Sequence, residues 1–166
     1  MNPFRFRFSL RLRHPSMDPE DISVALGMKP QYHWKVGERR TTPTGQLLTG
    51  VNESTYWCSA GVDGQGFALA ESLSSHLLML ERRREFLTEF VSTGGSVDYF
   101  VAWFTDGMNT GATLDWELLK RLGALQIDLD LDVYGGRSIA GPRSNSGEPV
   151  RQETTAAPDA DGHDTK

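Results

Sequence analysis

One cysteine, Cys58, stands in a chain of 166 residues, so no disulfide can form within it, and a reducing compartment is the expectation. No apolar run reaches the length of a membrane-spanning helix. The N-terminal stretch alternates phenylalanine with arginine and lacks the unbroken apolar core of a signal peptide. A basic excess is missing too: 22 acidic residues face 17 basic ones, for a formal charge of −5. That balance argues against general binding to nucleic acid or to anionic membranes, though it permits a local basic patch. His14, His33, His76 and His163 show no metal-ligand spacing to one another or to Cys58. Gly61-x-x-Gly64-x-Gly66 has neither the lysine nor the Ser/Thr of a phosphate-binding loop, does not fit the dinucleotide fingerprint, and reads as a flexible linker. No catalytic constellation, cofactor site or metal site is expected, and the chain is most simply a cytoplasmic protein.

What is present is patterned. Phe4 to Arg13 places apolar side chains at every even position and arginine or serine at every odd one, which is a strand with one buried and one solvated face. Leu125 to Val133 mirrors it, with Asp128, Asp130 and Asp132 alternating with Ile127, Leu129 and Leu131. Arg5, Arg7, Arg11 and Arg13 on one strand and the three aspartates on the other read as a structural charge ladder on neighbouring strands. The aromatic residues of the first strand point away from the arginines, which weakens a reading as a sheet-face RNA reader. The aspartates lack further oxygen donors near in sequence, so they do not form a cation site.

Between the two strands, Asp18-Pro19-Glu20-Asp21 starts a helix that ends at Gly27. Gln31 to Val36 is extended. Gly37 to Glu53 is a long polar loop with Leu47 and Leu48 as docking points. Ser54 to Ala60 is a strand. Ala68 to Val91 carries leucines at helical spacing and reads as one long helix, within which Glu81 to Glu85 is a polar face. Val97 to Phe104, apolar on both faces apart from Asp98, reads as a central strand. A short strand is expected after the turn at 106–109, and Asp115 caps a last helix through Leu122.

The resulting expectation is one α+β domain over residues 1–135. It is a two-layer sandwich, a ferredoxin-like variant with a mostly antiparallel sheet and helices on one face. The first and last strands should be neighbours. Residues 136–166, rich in Gly, Pro, Ser, Thr, Ala and Asp, read as a disordered polar tail.

Several segments together resemble a bacterial family catalogued as a domain of unknown function, number 4279. They are Asp18-Pro19-x-x-Ile22-x-x-x-Leu26-Gly27-Met28-x-Pro30, Trp34-Lys35-x-Gly37-Glu38 and Trp57-x-Ser59. The leucine-rich helix, Leu118-x-x-x-Leu122-Gly123 and Asp128-x-Asp130-x-Asp132-x-Tyr134 follow them. The family typically has Lys-x-Gly-Asp where this chain has Glu38. The resemblance implies a small cytosolic bacterial protein and brings no catalytic residues with it.

The stretch richest in interaction chemistry is Tyr32, Trp34 and Lys35 with Glu38, Arg39 and Arg40, joined by Trp57 from the next strand. Aromatic anchors beside arginine next to a long loop are the mix enriched at binding hot spots. The alternative for Trp34 and Trp57 is that they cover the end of the core. A non-enzymatic module that binds a protein partner, in an immunity or regulatory role, is the leading expectation. A small-molecule or nucleotide-binding domain is the alternative, and RNA binding through the arginine row comes last.

Overall fold

The computed structural model describes residues 4–135 apart from Pro43, Asp106 and Met108. The expected tail at 136–166 therefore lies outside the described residues. The elements run β1 (Phe4–His14), α1 (Pro19–Leu26), β2 (Pro30–Trp34), β3 (Arg39–Thr41), β4 (Leu47–Val51), β5 (Thr55–Ser59) and β6 (Val62–Gln65). They continue with α2 (Ala68–Glu81), α3 (Arg84–Ser92), β7 (Ser96–Thr105), α4 (Trp116–Ala124) and β8 (Ile127–Gly135).

The fold is α+β around a mixed sheet. The main path is β2-β5-β1-β7-β8, β6 also pairs with β1, and β3 and β4 form a separate two-stranded sheet. β1 is long enough to serve two partners on one edge, with Arg5 to Phe8 against β6 and Arg11 to His14 against β5. Its other edge is matched by β7 along ten residues. Every pairing is antiparallel except β7 with β8, which is parallel. The parallel pair follows from the connection: α4 lies between the two strands, and a helical crossover returns the chain in the same direction.

Alternation in β1 is realised as read. Phe4, Phe6, Phe8, Leu10 and Leu12 are buried, with arginine or serine between them. They form one core with Trp57, Val97, Tyr99, Val101 and Trp103 of the sheet and with leucines from α2, α3 and α4. Asp18 caps α1 by accepting the amide of Glu20, and Gly27 closes it with φ +67°, a conformation that costs glycine little.

Five expectations are corrected. The first and last strands are not neighbours, because β7 lies between them. The single long helix is two, interrupted at Arg82 and Arg83, with the apolar stripe continuing across the break from Leu80 to Leu87 and Phe90. The polar loop at 37–53 contains the β3–β4 hairpin. The glycine-rich linker is strand β6, where Gly64 lies directly across from Phe6. A Cβ on Gly64 would stand 2.1 Å from the Phe6 ring, so the glycine that resembled a loop signal is instead a seat for an aromatic ring. Among the described residues no strand lies between β7 and α4, where a short one was expected after the turn.

Candidate functional site: the outward sheet face

Pairing register places Trp34, Tyr56, Arg13 and Ser96 in one row across the sheet. Tyr32, Cys58, Arg11, Asp98 and Asp128 form the next. All of these belong to the face opposite the helices, since β1 sends its odd residues there. That face is more aromatic than the sequence of β1 alone implies. The indole of Trp34 stacks on Tyr56 with ring centroids 4.2 Å apart, and the Arg13 guanidinium lies 5.2 Å above the Tyr56 ring. The Arg11 guanidinium covers Phe100 at 4.3 Å, Arg5 lies 5.8 Å from Phe104, and Phe104 stacks on Tyr134 at 5.2 Å. Arginines therefore lie over aromatic rings while their N–H groups still reach carboxylates.

The ion pairs of this face centre on Asp98. Asp98 of β7 accepts from Arg11 Nε at 2.6 Å and from Arg13 Nη1 at 2.9 Å, while Arg11 also reaches Asp130. Arg7 pairs instead with Asp63 of β6, in a bidentate contact at 2.8 Å. Because β7 intervenes, the carboxylate that takes two arginines of the row, Asp98, is the one residue that looked out of place in an apolar strand. Asp132 accepts the Tyr134 hydroxyl at 2.6 Å. Among the described residues, neither Asp128 nor Asp132 joins an ion pair, and Arg5 has no carboxylate partner.

The residues of the aromatic and arginine stretch separate into three groups. Tyr32 and Trp34 lie on the exposed edge strand β2, at 51% and 42% exposure. Lys35 is held by Asp18, whose carboxylate raises the lysine pKa through a direct hydrogen bond and is itself lowered in turn. Lys35 thus ties the cap of α1 to the end of β2, and Glu38 completes the turn by accepting the Lys35 amide at 3.4 Å. Arg39 and Arg40 are exposed on β3 and enter no ion pair among the described residues.

Trp57 belongs elsewhere. It alternates to the inner side of β5, is fully buried, and donates its indole N–H to Ser23 Oγ at 3.0 Å. The surface partner of Trp34 is the adjacent Tyr56, which reading by residue type passed over. Strand parity was the signal available, since two-residue alternation puts Tyr56 and Trp57 on opposite faces.

Between β2 and the hairpin lies a concavity of about 540 Å³ whose walls include Tyr32, Trp34, Tyr56, Thr41, Thr42 and Asn52. Two of its polar groups are engaged within the chain. Asn52 Nδ2 donates to the Lys35 carbonyl, and Thr42 Oγ1 accepts the Gln46 amide. Leu47, Leu48 and Val51 extend the exposed apolar surface along the hairpin. Cys58, on the same face, is buried. Among the described residues no cluster of His, Cys, Asp and Glu has the makings of a metal site.

An α+β domain with an open, arginine-clad sheet face is the class these observations define. Residues 4–136 match the family described as Domain of unknown function (DUF4279), and the chain belongs to that family. No curated protein and no solved structure matches the chain. Among the described residues no helix is long and apolar enough to cross a membrane.

Proposed function

We propose that the protein is a non-enzymatic interaction module that engages a protein partner through β2 and the β3–β4 hairpin. The observation behind this reading is the Trp34–Tyr56 stack, open to solvent on an edge strand, with Leu47, Leu48 and Val51 also exposed on the hairpin. Exposed aromatic anchors with arginine nearby (Arg13, Arg39, Arg40) are the composition of binding hot spots. An edge strand also offers unpaired backbone groups to an incoming strand. The wider frame supports a rigid platform: β1-α1-β2-β5-α2-β7 has the strand order β2-β5-β1-β7, which we read as the ferredoxin-like arrangement of a two-layer sandwich. A regulatory or immunity role in the cytoplasm is compatible with such a module.

A photo-crosslinking residue at Tyr32 or Leu48 tests the site, with exposed Val24 on α1 as the control position. The same partner should be captured from both test positions, not from Val24, and the capture from Leu48 should disappear with Trp34→Ala. Equal capture from all three positions, or none, sinks the reading.

A second reading is supported by the concavity itself, whose size falls in the range of small-molecule sites. A nucleotide or other planar ligand would stack on Trp34. Asn52 and Thr42 are engaged within the chain and so are not free to orient it, which favours the protein partner. Stabilisation by a nucleotide in a thermal-shift panel, lost in Trp34→Ala, would reverse that preference.

A further inference from the structure

The other half of the outward face, over β1, β7 and β8, has its own pattern. Register sets Arg5 level with Phe104 and Tyr134, and Arg7 level with Ala102 and Asp132. Ser9 is level with Phe100 and Asp130, and Arg11 with Asp98 and Asp128. Three columns result: a basic one on β1, a mainly apolar one on β7 and an acidic one on β8.

A two-fold axis laid parallel to β7, just above the sheet, exchanges the outer columns and returns the central one to itself. Each copy's β1 column then faces the other's β8 column at the same level. The alternative two-fold, running across the strands, sets arginine over arginine and is repelled. The charge pattern is therefore self-complementary under one isologous operation and not the other.

Part of the charge on this face is not taken up by internal ion pairs. Arg5 has no carboxylate and Asp128 and Asp132 have no cation among the described residues, while Arg7 and Asp63 meet in an exposed pair that a nearby second carboxylate can share. We infer that this half of the sheet face is the contact surface for a second copy of the chain. Asp132 of one copy lies level with Arg7 of the other and one step along the face from Arg5, Asp128 lies level with Arg11, and the Phe104 rings meet across the axis. Face-to-face sheets packed near-aligned are an ordinary geometry. β2 and β5 fall outside the overlap, so the Trp34 surface stays open in the dimer and the two sites are independent.

Magnitude sets the character of the association. Three strands about 4.8 Å apart and nine residues at about 3.3 Å each give a patch of roughly 14 by 30 Å. That is at the small end of specific interfaces, so the dimer depends on concentration and weakens as salt rises.

Sedimentation velocity on the full chain tests it through charge exchange. Wild type is expected to shift from monomer to dimer with concentration at low salt, and back towards monomer at high salt. Asp132→Lys and the double variant Arg5→Glu/Arg7→Glu should each dissociate, with Kd raised on the order of a hundredfold, because like charges then face each other. Mixed together they should form a one-to-one heterodimer, since each reversed charge again meets its opposite. Should either reversal unfold the chain, as judged by its melting curve, Asp132→Asn replaces it and should weaken the dimer about tenfold. A wild type that stays monomeric at low salt overturns the inference. So do reversals that leave association unchanged, or a mixture that does not pair.

Discussion

Trp57 and Trp34 stand on adjacent strands, with His33 across from Trp57 and Trp34 across from Tyr56. One indole is sealed beneath α1 and bonded to Ser23, while the other lies open on a tyrosine ring. The same contrast runs across the whole sheet. On the inner face, helices from four segments remove the aromatic rings from water. On the outer face no helix is available, and arginines above aromatic rings cover part of the apolar surface, Arg11 and Arg13 being held in place by Asp98 and Asp130. The two faces show two ways of managing an apolar strand: exclude water with leucine, or shade the ring with a guanidinium that keeps its own edge wet. Only the second leaves the surface able to exchange partners.

The largest effect should come from collapsing the distinction at Trp57. Trp57→Ala is expected to destabilise the fold by about 3–5 kcal/mol, since a buried ring and its hydrogen bond are both lost. Trp34→Ala should cost less than about 1 kcal/mol, as an exposed side chain does. Denaturant melts of the pair check the contrast directly; equal losses would abolish it.

Next in size is the outer face's own anchor. Asp98→Ala leaves Arg11, only 15% exposed at its side chain, with Asp130 alone as counter-charge. A loss of about 2–3 kcal/mol is expected, below the range for a fully buried pair. Removing the exposed Arg7 by Arg7→Ala should leave the melting midpoint unchanged within error, because its pair with Asp63 is open to water.

A smaller, pH-dependent effect comes from the inner face. The Nδ1 of buried His14 accepts the amides of Ser16 and Met17, at 3.1 and 2.9 Å, and its Nε2 meets Thr93 Oγ1 at 3.0 Å. Burial lowers its pKa from the ordinary 6.5, and His76, bonded to Tyr99 at 2.7 Å, is lowered for the same reason. The unfolded chain therefore binds these protons first. Their contribution to stability is complete above pH 6.5 and is lost as pH falls below it. Stability measured from pH 8 down to about 5 should decline with a slope that His14→Asn reduces; an unchanged slope would place the titration elsewhere.

Much of the secondary structure was legible because its signals are local. Alternation in Phe4 to Arg13 identified a half-buried strand, and Asp18, Pro19 and Gly27 bracketed α1. The helix break at Arg82 and Arg83 escaped notice because leucine spacing continues across it. Strand β6 was hidden by glycines, one of which is required by the Phe6 ring. At the candidate site, Tyr32 and Trp34 were legible as interaction residues and strand parity set Tyr56 apart from Trp57, whereas the role of Asp98 was not legible, because its arginine partners come from a distant segment.

By itself, then, the sequence determined which side chains share a face within each element, since side-chain periodicity is a property of consecutive residues. It determined the arginine row of β1 and the aspartate row of β8. Only the tertiary structure decided which rows become neighbours. Pairing across β1, β7 and β8 is a choice among long-range partners, made by how the whole core closes. That closure puts Asp98 between the two rows and turns an expected pairwise ladder into a three-column face.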